Sequence, residues 1–386
     1  MNGNIRVGNL FGIPFYINPS WFIVFGLVTF VYGSDLAQFP QLTGALPWLL
    51  GMVTALMLFA SVLAHELGHS VVAMSQGIEV KSITLFIFGG LASLGEESKT
   101  PLQSFLVAIA GPVVSFALFG VFLIVSTFAG LSGPLAAVVA LLAYINLALG
   151  AFNLIPGLPL DGGNVLKSIV WKITGKPYRG IAFASRVGQF FGWVGIVLGL
   201  DSVFGFSTLI GLQPIGSIWT LLIGWFLLQN AGRSAQSAAI QEQLSGLTAA
   251  DAVYPNSPMV SADLSLRELA NNHIIGSDMN WRKYLVVDDE NKVIGEIEVN
   301  AMKNIPTNDW WTIKVSDVMQ PSDQIKTVSS DKPLLDVIGM LEDEQLSALA
   351  VTKDNGVLVG LLEKASITEL LRKRAEGEAP IETTAA

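Results

Sequence analysis

Six stretches of this chain, near residues 17–34, 46–74, 103–129, 134–155, 181–204 and 214–231, are continuously apolar. A helix needs about 20 such residues to cross roughly 30 Å of hydrocarbon. Inside a bilayer every backbone N–H and C=O must be bonded within the protein, so runs of this length and composition are expected to fold as helices. Charge divides the chain at the same place. Residues 1–231 hold 8 Lys/Arg and 7 Asp/Glu, while residues 232–386 hold the other 14 and 24. With 51% hydrophobic and 14% charged residues overall, the composition is that of a membrane protein with a polar region attached. The solvent changes near Gly232.

The first run follows MNGNIRVGNLFGIPFYINPS, which has neither a basic leading segment nor a small-residue cleavage site and so reads as a retained anchor. Arg6, Lys81, Lys99, Lys167, Lys172, Lys176, Arg179, Arg186 and Arg233 fall before the first run, near connections 2–3 and 4–5, or after the sixth. Six spans put all of these on one face, which the positive-inside rule makes cytoplasmic. Five or seven would scatter them. The opposite connections carry Asp35 and Asp201 without Lys or Arg. The absence of cysteine excludes disulfides and thiolate ligands but selects no compartment.

Within the second run stands AHELGHS, residues 64–70, with two of the chain's three histidines. On a helix His65 and His69 stack on one face, and Glu66 is rotated from them by about 100°. Two imidazoles at this spacing can hold one divalent ion, and Glu66 is then near enough to a metal-bound water to take its proton. Ionisable groups in a span cost about 2.5–3.5 kcal/mol each on insertion scales, so three in five residues call for a functional partner. A catalytic zinc takes three protein ligands and an open position. The remaining histidine, His273, lies in the polar LANNHIIGSD and reads as an ordinary residue. FNLIPGLPLDGG, residues 152–163, is the better source: Pro156 and Pro159 end the fourth span, Gly162 and Gly163 permit a sharp turn, and Asp161 is presented from broken backbone near the same membrane face.

AHELGHS and FNLIPGLPLDGG together resemble the paired signatures of the site-2 protease family, the zinc intramembrane metalloproteases, over about residues 1–230. The resemblance implies one zinc per chain, His65, His69 and Asp161 as its ligands, and Glu66 as the general base. It further implies that KSITLFIFGGLASL, residues 81–94, forms a membrane-associated hairpin with substrate contacts at Gly89 and Gly90, where a strand edge can pair with an opened substrate backbone. GNLFGIPFYIN, residues 8–18, is a candidate further strand. Asn153 matches the family asparagine that steadies substrate or oxyanion. AIAGPVVS, residues 108–115, is similar to the third-span motif but departs from it, with Ser115 where the family commonly has Asn.

Beyond RSAQSAAIQEQLSG (233–246) the chain repeats at about 66 residues: DAVYP answers DVMQP, VSADLSLREL answers VSSDKPLLDV, and VVDDENKVIGEIE answers VTKDNGVLVGLLE. Each copy reads as an extended segment, an amphipathic helix, two strands and a final helix. The pattern resembles a tandem pair of CBS domains, which often bind adenine nucleotides and often dimerise. Glu298 with Ala301 and Glu363 with Ser366 stand where nucleotide-binding copies have Ser/Thr and Asp. Adenine nucleotide is therefore disfavoured against a regulatory or dimerising role. A net charge of about −10 over residues 232–386 argues against nucleic acid.

The expected fold is a polytopic α-helical membrane protein, six transmembrane helices with a small membrane-associated β-sheet, plus a cytoplasmic α/β CBS pair. Its parts are a protease domain at 1–231, a linker at 232–246, repeats at 247–305 and 306–375, and a disordered tail at 376–386. N-terminus and C-terminal domain are both cytoplasmic. The expected function is zinc-dependent hydrolysis of peptide bonds in or near membrane-spanning segments of single-span proteins in the bilayer, already shortened by another protease. The competing expectation is a CBS-gated metal transporter or sensor using the same histidines and Asp161. Such a site needs no base beside its ligands, so Glu66 separates the two.

Overall fold

A computed structural model describes residues 3–375 apart from 88, 207, 209–212, 214–215, 255–256, 276–280 and 322–325; the expected tail at 376–386 lies outside the described residues. The chain forms two compact units, Met1–Ala239 and Ile240–Ala386.

The first unit begins with a hairpin of β1 (Ile5–Leu10) and β2 (Ile13–Ile17). Phe11 and Gly12 both take positive φ in its two-residue turn, the twist that such tight hairpins favour. Then come α1 (Ser20–Leu36), α2 (Leu46–Ser75), β3 (Val80–Phe86) and β4 (Gly89–Leu94). The strands form one sheet in the order β1-β2-β3-β4, with β2 parallel to β3 and the other pairs antiparallel. The sequence suggested one extra strand near residues 8–18; the structure has two, and β4 is an edge. Ile13, Val80 and Ile83 pack beneath the sheet with Ala73 and Ile78, and Leu85 packs with Trp21, Phe59 and Val62.

The remaining helices are α3 (Pro101–Phe128), α4 (Gly133–Asn153), α5 (Asp161–Thr174), α6 (Pro177–Phe204) and α7 (Ile218–Leu244). Four of them, α2, α3, α4 and α6, are long and apolar enough to cross a membrane. At most 33% of each apolar window is buried within the protein, and the outward residues include Leu56, Val121, Ile124, Leu135 and Val197. Helices apolar on all sides belong in lipid, so the unit is a multi-pass membrane protein. Of the other two expected spans, α1 is apolar but only 17 residues long, and α7 turns polar after Leu228. The amphipathic α5 was expected only as broken backbone.

The second unit repeats one topology. In the first copy β5 (Met259–Ser261) leads through the short α8 (Leu266–Glu268) and a wider helical turn, Leu269–Ile275, to β6 (Lys283–Val287) and β7 (Val293–Glu298). The short α9 (Val315–Val318) and β8 (Gln320–Pro321) follow. In the second copy β9 (Thr327–Ser329) leads through α10 (Leu334–Asp343) to β10 (Ala348–Thr352), β11 (Leu358–Glu363) and α11 (Lys364–Ala375). Each first strand pairs parallel with the second, which pairs antiparallel with the third. Leu285 and Val287 from one copy share a core with Ala350 and Leu358 from the other.

Between α2 and α4 the unit relies on a polar tie. Asn146 is fully buried, and its Nδ2 donates to Ser61 Oγ at 3.0 Å and to the Leu142 carbonyl at 2.9 Å. Interhelical bonds of this kind contribute about 0.6 kcal/mol on average and up to about 1.7 in membranes. Pairing Asn146→Ala with Ser61→Ala in unfolding from detergent should therefore give a favourable coupling energy of about that size. A coupling of zero would mean that the two side chains do not hold the helices together.

Candidate metal centre

The i,i+4 spacing turns both His65 and His69 toward α3. Their ring centroids lie 4.9 Å apart at 77°, and each Nδ1 meets a group on that helix. His69 Nδ1 is 2.7 Å from the Val107 carbonyl, and His65 Nδ1 is 2.8 Å from Ser115 Oγ. A carbonyl can only accept, so His69 carries a proton on Nδ1, and Nε2 is the ring nitrogen it presents to His65 and Asp161.

The third group comes from the first residue of α5. Residues 154–160 fold tightly ahead of it, with the Leu158 N–H bonded to the Ala184 carbonyl on α6 and the Gly163 N–H to Leu160. Gly162 and Gly163 were expected to form a turn, but they lie in the first turn of α5. There a Cβ would come within 2.3 Å of the Leu154 carbonyl oxygen or 2.2 Å of the Leu158 nitrogen. Their work is close approach, which brings Asp161 under the two imidazoles.

Asp161 Oδ2 stands 3.0 Å from His65 Nε2 and 3.3 Å from His69 Nε2, and the two Nε2 atoms are 3.3 Å apart. Zinc bonds of about 2.0–2.1 Å in a tetrahedron separate neighbouring ligand atoms by roughly 3.3 Å. Both the triangle and the donor set of two imidazoles and a carboxylate fit a zinc ion. Among the described residues this is the one cluster of three such groups close enough to hold a metal. His273 belongs to the second unit and is not one of the three; its carbonyl accepts from Tyr284 Oη at 2.6 Å.

A cavity of about 780 Å³ opens on the cluster. Its walls include Glu66, Gly90, Ala92, Asn153 and Lys167. Glu66 faces β4, near the Ala92 backbone amide, and a Cβ at Gly90 would lie 2.4 Å from Glu66 Cγ. Gly90 and Asn153 both line this cavity. Gly89 does not line it and instead takes φ +133° where β4 begins.

Sequence reasoning missed the part played by α3. A Cβ at Gly111 would stand 2.2 Å from His69 Nε2 and 2.6 Å from His65 Nε2, so a methyl group there would occupy the space between the ligand atoms. Its signal was the AIAGPVVS motif, whose glycine has no visible purpose until α3 is laid against α2. Gly111→Ala should accordingly purify folded but with zinc per chain falling from about one toward zero. Metal analysis beside circular dichroism checks this, and full zinc occupancy in the variant would refute it.

The chain is similar to known proteins along most of its length. The family profile described as "Peptidase family M50" matches residues 53–133 and 129–195, and that of the CBS domain matches residues 315–373. A Synechocystis protein named "Putative zinc metalloprotease sll0528" is 56% identical over 375 residues, spanning 97% of this chain and 97% of its own length. The Mycobacterium tuberculosis protein named "Putative zinc metalloprotease Rip3" is 31% identical over 380 residues, covering 96% of this chain and 93% of that one. Among solved structures, the site-2 protease from Methanocaldococcus jannaschii is similar at 30% identity and a TM-score of 0.43, over 60% of this chain and 95% of that one.

Proposed function

Since the chain belongs to peptidase family M50, as a zinc metalloprotease of the site-2 protease type with a CBS region at its C-terminus, we propose that it cleaves within the membrane. Its substrates are single-span membrane proteins, already shortened by another protease and cut in or near the spanning segment. The observation that carries this reading is the position of the His65, His69 and Asp161 triangle. It sits in an apolar helical unit, on a cavity that also holds Glu66 and the edge of a β-sheet.

His65, His69 and Asp161 would hold the zinc. When bound, the ion supplies Lewis acidity, polarising the scissile carbonyl and lowering the pKa of water toward about 7. Glu66 accepts a proton from the attacking water and delivers it to the departing amine nitrogen. Asn153, in the wall of the same cavity, offers amide hydrogens to the substrate carbonyl. The outer edge of β4, apart from the Ala92 amide that faces Glu66, offers backbone groups to an unwound substrate segment, which replaces hydrogen bonds that the segment gives up on leaving its helix.

In the membrane, six crossings by α1, α2, α3, α4, α6 and α7 put the basic residues and both termini on the cytoplasmic face. The C-terminal pair is regulatory or dimerising rather than a nucleotide sensor. Its cleft includes Tyr254, Trp281, Lys283, Glu296 and Glu363. Lys283 is already engaged by Glu296 at 2.7 Å and Glu298 at 3.0 Å. Their hydrogen bonds, that of Glu296 first, hold its ammonium above the ordinary lysine range. A phosphate drawn to Lys283 would have to displace both carboxylates.

Purified protein in detergent, given a single-span substrate, tests the reading. Wild type should cleave it, and Glu66→Gln at equal zinc content should be slower by about 10²–10⁴-fold, the usual contribution of a positioned base. Equal rates would remove Glu66 from the chemistry. Zinc binding without cleavage of any spanning substrate by wild type, together with metal flux into liposomes, would favour a transport site.

A further inference from the structure

We propose that Ser115 is the positioning residue for His65, fixing the tautomer and ring plane with which this histidine addresses the metal. The inference rests on the metal reading above and extends it to a residue outside the ligand set.

The two histidines are supported asymmetrically. His69 leans on a backbone carbonyl, that of Val107, which no substitution at position 107 other than a backbone rearrangement removes. His65 leans on a side chain: its Nδ1 lies 2.8 Å from Ser115 Oγ, and both residues are buried, at 3% and 0% exposure. A serine within a helix ordinarily spends its hydroxyl on the carbonyl four residues earlier or on solvent. Ser115 has no solvent, and its oxygen is directed across to α2.

For His65 Nε2 to present a lone pair beside Asp161, the ring proton must sit on Nδ1, and Ser115 Oγ is placed to accept it. Without that acceptor, the buried Nδ1–H would lose its partner. The other tautomer, with the proton on Nε2 donated to Asp161 Oδ2 at 3.0 Å, would become competitive. That tautomer cannot ligate through Nε2. An alanine at position 115 would therefore preserve packing almost unchanged and still weaken the metal site.

The test uses the full-length protein in detergent, with zinc titrated against a chromophoric chelator. Loss of such a supporting hydrogen bond typically costs 10–100-fold in metal affinity. Ser115→Ala should thus raise the zinc Kd by roughly 10–100-fold, and Ser115→Thr, which retains the hydroxyl, should recover most of the loss. Because the chain has three histidines, ¹⁵N-histidine NMR of the metal-free protein provides a second readout. The His65 Nδ1 resonance should move in Ser115→Ala and stay in Ser115→Thr, with His69 and His273 unchanged. Zinc affinity in Ser115→Ala within about threefold of wild type, well below the expected loss, would overturn the proposal. So would an equal loss in both variants with the His65 resonance unmoved, the pattern of a packing effect. If wild type itself binds no zinc, or His65→Ala binds it normally, the metal reading fails instead and takes this inference with it.

Discussion

Ionisable side chains in an apolar helical unit must find partners inside the protein, because lipid offers them none. The arrangement around α2 follows from that requirement. His69 is answered by a carbonyl of α3, His65 by a hydroxyl of α3, and Asp161 by both imidazoles. Glu66 faces the Ala92 backbone amide on β4. Two of these partners belong to backbone, and backbone can reach a buried side chain only where neighbouring elements approach closely. The glycines at positions 111 and 90 permit that approach. A Cβ at either would overlap the groups being served, at 2.2 Å from His69 Nε2 and 2.4 Å from Glu66 Cγ.

The same reasoning explains which parts of the site could be read from the sequence. His65, Glu66 and His69 are legible because helical periodicity alone fixes their relative directions. Asp161 is legible because a carboxylate beside prolines and glycines at the end of an apolar run has few structural reasons to be there. Val107, Gly111 and Ser115 are different. Each acts through a contact between helices, and no periodicity within one helix can reveal which residue faces which across the gap. At Ser115 the departure from the family pattern argued against a role, whereas the structure brings its hydroxyl to His65.

The fold divides along a similar line. Long apolar runs gave helices, and the repeat gave two copies of one strand order, since both signals are local. The hairpin of β1 and β2 escaped full notice because its apolar–polar alternation is weak and only its Phe11–Gly12 turn marks it. The helix α5 was hidden by the glycines that open it. Read one residue at a time, Gly162 and Gly163 suggest a break; read against residues 154–160, they are what lets a helix start so close to its own preceding loop. Tertiary approach overrides helix propensity there, at a cost of roughly 1 kcal/mol per glycine.

The two units also show how one chain satisfies opposite solvents. In the first, large apolar side chains such as Ile124 and Val197 point outward, while Ser61, Ser115 and Asn146 are buried. Tight helix packing and interior hydrogen bonds must then supply cohesion, because lipid gives apolar surfaces no reason to leave it. In the second, Val286, Leu349 and Leu362 are buried and charge lies outside, so water itself drives the core together. A polar residue consequently carries different information on either side of the boundary. In the second unit a surface serine needs no explanation. In the first, a buried one is either a tie between helices, as Ser61 is to Asn146, or a support for chemistry, as Ser115 is to His65; the identity of its partner decides between them.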